Sequence, residues 1–442
     1  MSQYVIIGAG AAGIAAAEAI RSQDSSGRIL LLSEEAQGYY SRPGLAFYLT
    51  GELSESQLFP FSQADFRRLG VQQVHARAVR IQPQAHRLEL HSGKLLAYDR
   101  LLIATGAAAT PLKVPGCQAE GVVKLDSLED AHRILHLARK KREAVVVGGG
   151  ITAIEIVEGL VAQGVRVHYF LRGDRYWSNV LDETESKIVE HRLKEDKVHL
   201  HYQTELEEIL TEGNRVIGVR TRDGRHIRCG IVAAAIGVQP RKELGVASGL
   251  RVERGIIVDE YLRTSAPDVF AAGDVAQVVD ETTGQVTLNT LWALARDQGL
   301  IAGYNMAGSS TRYSPPVPFN VTRLACLTTT IIGKVGRGED LDLLGIARGD
   351  SETWRQLPDA IAAQAVFDVN RLRLLVVGDS LVGAVVMGDQ TLSHSLQHLI
   401  LDKANIFPIR DRILHPGAPV ADIIAGFWTE YRSHASCATQ QS

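Results

Sequence analysis

The chain has 442 residues, 45% of them hydrophobic and 22% charged, with a net charge of −3. That length is too great for one ordinary core and predicts two to four domains. The near-neutral balance excludes a global field for nucleic acid or an anionic membrane, and no apolar run is long enough for a membrane span.

The first element is an apolar β-branched strand, Val5-Ile6-Ile7, running into Gly8-Ala9-Gly10-Ala11-Ala12-Gly13. With so little chain before it, no signal or transit peptide is expected, and the expected location is the cytoplasm. Gly8 permits a tight turn, Gly10 lets backbone approach a pyrophosphate, and Gly13 lets the next helix pack on the strand. The alanine-rich helix from Ala11 turns its N–H groups and positive dipole end toward phosphate. Residues 28–33 read as the next strand, and Glu34 and Glu35 follow, where a carboxylate can accept hydrogen bonds from a ribose. The other reading is a plain βαβ unit with surface glutamates. Residues 71–98 alternate like an antiparallel meander. A second buried strand ends at Ala104-Thr105-Gly106, and residues 111–116 read as a linker.

A second fingerprint follows the strand Val145-Val146-Val147: Gly148-Gly149-Gly150-Ile151-Thr152-Ala153, with alanine at the third-glycine position. Gly148, Gly150, Thr152 and Ala153 are its candidate cofactor contacts. Residues 165–171 form its next strand, and the acid that would bind a free 2′-hydroxyl is missing there. Arg172 and Arg175 stand instead, which suits a 2′-phosphate and hence NADPH; as solvated loop charges they leave NADH open. The basic run Arg139-Lys140-Lys141-Arg142 before this fingerprint is a solvated helix end or a docking patch for an acidic partner.

Further on, a strand ends at the turn of Gly237, and Val269-Phe270-Ala271-Ala272-Gly273-Asp274 delivers an aspartate at a strand's carboxyl end, where open parallel sheets bind ligands. A helix is expected over 291–305. From about 311 the prolines 315, 316 and 318 mark a boundary, and 320–390 is rich in β patterns. Cys117, Cys229, Cys326 and Cys437 show no CxxC or metal-ligand spacing; they could pair in three ways, and ordinary thiols in a reducing compartment are expected. His394 and His398 share a helix face, but no third ligand is evident, so no metal is expected.

Together these motifs resemble the FAD-dependent pyridine nucleotide–disulfide oxidoreductase superfamily: residues 8–13, 104–106, 148–155 and 271–274, in that order, cover the chain to about 310. The resemblance implies an α/β protein with two Rossmann-like (doubly wound) dinucleotide-binding domains and a C-terminal α+β domain. The expected division is 1–112 and 242–310 for FAD, 113–241 for NAD(P)H, and 311–442 as an interface domain. It implies FAD on the first fingerprint, NADPH or NADH on the second, Asp274 on the ribityl or pyrophosphate part of FAD, and Glu155 beside the nicotinamide–flavin contact as the catalytic position. For Glu155 the other reading is an acid favoured by the helix dipole.

The segment Tyr39-Tyr40-Ser41-Arg42-Pro43-Gly44-Leu45 is similar to that of rubredoxin reductases, ferredoxin reductases of oxygenase systems and nitrite reductase flavoproteins. Arg42 holds an FAD phosphate or pairs with an acid such as Glu34. Pro43 aligns where thiol-using relatives carry their redox cysteine, so disulfide and peroxide reduction by that route are disfavoured. Asn289, Thr290 and Trp292 are candidates for the isoalloxazine ring, or core and surface residues. The expected reaction is hydride transfer from NAD(P)H to FAD, then electrons to an external acceptor, first a small iron–sulfur or rubredoxin-type protein. The alternatives are an oxidase or quinone/small-molecule reductase, and a redox-sensing or scaffold flavoprotein. A homodimer or larger complex is compatible with the sequence.

Overall fold

The computed structural model describes residues 1–279, 286–288, 290–335, 344–349, 370–415 and 417–439, with backbone only for 287, 344–349 and 434–439. Two five-stranded parallel sheets organise the first two-thirds of the chain. In the first, the spatial order is Val269–Ala271, Arg100–Ile103, Gln3–Ile7, Arg28–Ser33, Val71–His75. Every pairing in it is parallel. Val5, Ile6, Leu101, Leu102 and Ile103 are fully buried, as strands covered on both faces require. The strand Val71–His75 joins this sheet at Ile29↔Val71 and Leu32↔Val74. The antiparallel meander expected from residue 71 is thus confined to Ala78–Gln82, Arg87–Leu90 and Leu95–Ala97. Val71 and Val74 are three apart, which breaks the two-residue period on which the meander reading rested.

The second sheet runs His199–His201, Arg166–Phe170, Glu143–Val147, Ile231–Ala234, Val122–Val123, again all parallel. The chain passes from one sheet to the other at Ala107–Ala109 and returns at Val238–Pro240. These two segments pair antiparallel as a ribbon. The return leg delivers the strand Val269–Ala271 to the edge of the first sheet.

Two long helices lie against each other beside the first sheet: Ala11–Gln23 and Trp292–Met306. Their approach is close because of Gly299 and Gly303: a Cβ on either would sit 2.2 Å from the Ala12 carbonyl oxygen or 2.5 Å from that of Ala16. The C-terminal sheet is antiparallel, ordered Phe319–Leu324, Leu327–Gly333, Ser380–Met387, Arg371–Val377, Leu344–Gly349. Helices Ser393–Leu401, Phe407–Leu414 and Val420–Thr439 follow. Arg371 and Arg373 fasten this sheet to the helix Glu183–Glu195 through Asp182 (2.7 Å) and Glu185 (2.9 Å). The rings of His394 and His398 lie 4.5 Å apart and tilted, and His398 stacks on Trp428. No helix among the described residues is long and apolar enough to cross a membrane.

Candidate functional site

The first glycine loop is shaped by contacts that exclude side chains on two sides and leave the third open. Gly8 has φ +114°, and a Cβ there would lie 2.1 Å from the Ala104 carbonyl oxygen. One on Gly13 would lie 2.0 Å from the Gly8 carbonyl oxygen, whereas Gly10 meets nothing within 4 Å. Gly10 caps the helix without a side-chain hydrogen bond, and the first turn contains no acid. Its N–H groups therefore point into open space with their partial positive charge unopposed, a seat for phosphate. Ala12 is buried against the helix carrying Gly299. Thr105 donates from its hydroxyl to the Arg241 carbonyl (2.9 Å), and Gly106 turns at φ +70° into the ribbon.

The two glutamates after the second strand diverge. Glu34 is exposed and faces Arg77 at 3.6 Å. Glu35 lines a cavity of about 280 Å³ together with Ala9, Ser33, Gly38, Gln73 and His75. Glu35 also accepts from the Tyr40 hydroxyl (2.6 Å) and from Arg42. The acid partner of Arg42 is thus Glu35, not Glu34. Arg42 further donates to the Asp126 carbonyl and lies over the Tyr40 ring at 5.2 Å. Asp126 receives Arg241 (2.9 Å) and Lys124 (3.1 Å), while the Tyr40 hydroxyl accepts from the Leu128 N–H (3.0 Å). One polar network therefore ties the first sheet, the ribbon and the second sheet together. Asp126, Lys124 and Arg241 were not singled out from sequence, and Tyr40 stood there only as part of the segment 39–45. The capping pattern Ser127-Leu128-Glu129-Asp130 marks a helix start there, but nothing local reveals its distant partners.

Gly273 has φ +79° and donates its N–H to Gln298 (2.8 Å). Beside it, burial pushes the Asp274 carboxyl up to about 6, and the nearby Arg42 charge pulls it back. Trp292 begins its helix half-exposed, next to the Tyr39 hydroxyl. Thr290 is exposed. Asn289 lies outside the described residues.

The second loop repeats the logic. A Cβ on Gly148 would lie 2.2 Å from the Ala235 carbonyl oxygen and 3.1 Å from the Ala153 methyl, while Gly149 and Gly150 meet nothing within 4 Å. Gly150 caps the helix Ile151–Ala162 without a side-chain bond. Ala153 is buried and Thr152 half-buried. Gly237, at φ +107°, accepts from the Thr110 N–H across the ribbon (2.9 Å). At the end of the strand Arg166–Phe170, Arg172 is exposed. Arg175 is turned back to the Ser178 carbonyl (3.2 Å) and to Asp174 (3.3 Å).

The helix of the second loop is packed against the segment that follows Arg42. The short helix Gly44–Thr50, with the exposed Pro43 at its start, lies along Ile151–Ala162. A Cβ on Gly159 would meet the Leu49 Cβ at 2.6 Å, and Gln163 donates to the Leu49 carbonyl (3.0 Å). Leu49 thus meets this helix twice, with its side chain at Gly159 and its carbonyl at Gln163. Burial and the Glu158 charge push the Glu155 carboxyl up to about 7, with Arg323 opposing.

Two open, uncapped helix starts, with the Glu35 carboxylate lining an open cavity beside the first, fit two dinucleotides. The chain matches the family model described as pyridine nucleotide-disulphide oxidoreductase over residues 2–299. It is 31% identical over 412 residues to the biphenyl dioxygenase system ferredoxin–NAD(+) reductase component of Paraburkholderia xenovorans, covering 90% of this chain and 98% of that protein. It is 33% identical over 313 residues to rhodocoxin reductase of Rhodococcus erythropolis, covering 70% of this chain and 73% of that one. The crystal structure of a ferredoxin reductase from Rhodopseudomonas palustris superposes with a TM-score of 0.81 at 26% identity, covering 91% of this chain and 95% of that one. The chain belongs to the pyridine nucleotide–disulphide oxidoreductase family and is an FAD- and NAD(P)H-dependent flavoprotein oxidoreductase.

Proposed function

We propose that the chain takes a hydride from NAD(P)H onto FAD and sends the electrons singly to a small iron–sulfur or rubredoxin-type protein. The observation that carries this reading is the pair of open, uncapped helix starts after Gly10 and Gly150, with Pro43 rather than a thiol at the head of the helix that packs on the second. Of the described cysteines, Cys229 is buried with its thiol pushed up to about 12, Cys117 is in a loop, and Cys326 is in a C-terminal hairpin. The names of the relatives, ferredoxin–NAD(+) reductase and rhodocoxin reductase, agree with the class of acceptor.

When bound, the flavin supplies the conversion between a two-electron hydride and single electrons. The protein's part is placement. The loops at Gly8–Gly13 and Gly148–Ala153 seat the pyrophosphates, Glu35 accepts from the FAD ribose, and Asp274 with the Arg42 network fixes the middle of FAD. Glu155 orients the nicotinamide from the first turns of its helix. Residues 1–112 with 242–310 form the FAD unit, 113–241 the nicotinamide unit and 311–442 the interface unit. For the coenzyme, the exposed Arg172 favours a 2′-phosphate, and Arg175 is already spent on Ser178 and Asp174.

The test is NAD(P)H oxidation with excess ferricyanide, and then with a ferredoxin or rubredoxin at low and high salt. Rapid turnover with both, and a steep loss of the protein-acceptor rate at high salt, are expected. Equal rates at both salts would count against charged docking. A single stoichiometric reduction without turnover would favour a sensor instead.

A further inference from the structure

The helix Ile151–Ala162 carries a second carboxylate one turn after Glu155. Glu158 is only 7% exposed. One of its oxygens accepts the Cys326 N–H at 2.7 Å, and the other lies 3.7 Å from the Arg323 Nε. Arg323 is already committed: its Nη1 donates to both oxygens of Glu52, at 2.7 and 2.8 Å, and its guanidinium lies over the Phe47 ring at 4.8 Å. The Glu52 side chain is half-exposed. Three carboxylates thus form a series from the fingerprint helix to solvent, served by one guanidinium.

A structural ion pair would need one carboxylate per guanidinium, and a surplus buried one is costly. The turn that meets Glu158 is itself held in an unfavourable form. Ala325 and Cys326 adopt φ +50° and +61° between Leu324 and Leu327, with the Ala325 carbonyl taking Arg192 at 2.7 Å. Side chains other than glycine or asparagine rarely adopt that conformation. The Tyr176 hydroxyl is fully buried without a hydrogen-bond partner and feels both Glu155 and Glu158. The Tyr169 ring lies 6.3 Å away from that of Tyr176, and its hydroxyl is likewise unpartnered.

The proposed reaction needs a proton route. With two one-electron acceptors A, NAD(P)H + 2 A(ox) gives NAD(P)+ + 2 A(red) + H+. The hydride's hydrogen must leave the interior as a proton once both electrons have gone. We propose that Glu155, Glu158 and Glu52 are the exit path for that proton. This inference rests on the single-electron reading given above. Glu155 takes the proton as a new O–H bond while the bond that held the hydride's hydrogen breaks, the two electrons having gone to the two acceptors. It passes the proton one helical turn to Glu158 as its own O–H bond breaks. Glu158 passes it to Glu52, which releases it to solvent. The charged and titratable groups facing Glu155 are Glu158, Arg323 and Tyr176. Those facing Glu158 are Glu155, Arg323, Glu52, Asp196, Cys326 and Tyr176. Arg323 holds the series together and stops the last two carboxylates from repelling each other apart.

The test uses the FAD-loaded full chain, ferricyanide and a weakly buffered pH-indicator dye in stopped flow. Wild-type turnover with ferricyanide tests the functional reading by itself, and the comparison of variants tests the path. In Glu158→Gln, which keeps an oxygen for the Cys326 N–H, proton appearance is expected to lag electron transfer by about tenfold. The solvent deuterium isotope effect on turnover should rise, with the anaerobic hydride-transfer rate unchanged. Glu158→Asp, still ionisable, should recover most of the loss. If Glu158→Gln folds poorly, Glu52→Gln at the exposed end gives the same lag in smaller measure. Proton release in step with the electrons at the wild-type rate, in a folded and FAD-loaded Glu158→Gln or Glu52→Gln protein, would overturn the path.

Discussion

The contact between Gly159 and Leu49 sets the distance between the helix that starts at Pro43 and the helix that carries Glu155, so adding one methyl group there tests whether that distance matters to hydride transfer. In Gly159→Ala the new Cβ starts 2.6 Å from the Leu49 Cβ and 3.3 Å from its Cδ1. Carbon atoms pack at about 3.5–4.0 Å, so the helices must part by about 1 Å. Overpacking of this kind costs about 1–3 kcal/mol. Alanine in place of a helical glycine returns about 1 kcal/mol, leaving a net loss of about 0–2 kcal/mol. The kinetic effect should be larger, because a 1 Å misplacement of reacting groups costs about a hundredfold. The assay is the anaerobic rate of flavin bleaching by NAD(P)H, beside thermal melting and FAD content. The expected result is a loss of ten- to a hundredfold, by that same scaling, in a protein that melts only slightly lower. The pair Gly159→Ala with Leu49→Gly removes the clash but also a buried leucine, at about 2–5 kcal/mol. It should therefore transfer hydride faster than Gly159→Ala while being less stable. A Gly159→Ala protein that bleaches at the wild-type rate would refute the argument and reduce the contact to packing alone.

Arg172→Glu should lower the NADPH-to-NADH ratio of kcat/KM by about one to two decades, the worth of a lost charge-assisted hydrogen bond. An unchanged ratio means that Arg172 does not read the 2′-phosphate. Replacing all four cysteines by alanine or serine should leave NAD(P)H:dye activity largely intact, and loss of hydride transfer in a folded, FAD-loaded protein would disprove thiol independence. The Glu155 carboxyl, raised from 4.5 to about 7, holds its proton more tightly in the folded chain than in the unfolded one. The stability this gives is present below the ordinary carboxylate range and is lost as pH rises toward 7. Wild type should therefore lose stability relative to Glu155→Gln between about pH 4.5 and 7, read from denaturant melts of both proteins at pH 5 and 8. Parallel behaviour of the two proteins would place the carboxyl in water rather than in the protein.

The parts of the site that were legible in the sequence are those whose physics is local. Gly8, Gly13 and Gly148 announce themselves because each must tolerate a carbonyl oxygen near 2 Å from where a Cβ would stand, and the residues enforcing this follow a fixed strand–turn–helix spacing. The helix start at Trp292 and the strand Arg28–Ser33 were equally readable, since their apolar patterns and flanking turns lie within a few residues. Glu34 and Glu35 mark where local reading ends. Both stand at the right distance from Gly13, and only the position of Arg42 and Tyr40, folded back across the strand end, turns Glu35 inward and leaves Glu34 to Arg77. Gly159 is a stronger case. In sequence it is a glycine inside a helix, which reads as a weakness. In the fold it is the position that lets a helix from the first third of the chain come close to the helix that carries Glu155. Arg323 was invisible for the same reason: its partners Glu52 and Glu158 lie 271 and 165 positions away, and no periodicity joins them. The glycine fingerprints therefore specify what is bound. The packing between the elements around them is written in long-range pairs, Gly159 with Leu49, Arg42 with Asp126, Arg323 with Glu158, which no local pattern in the sequence joins.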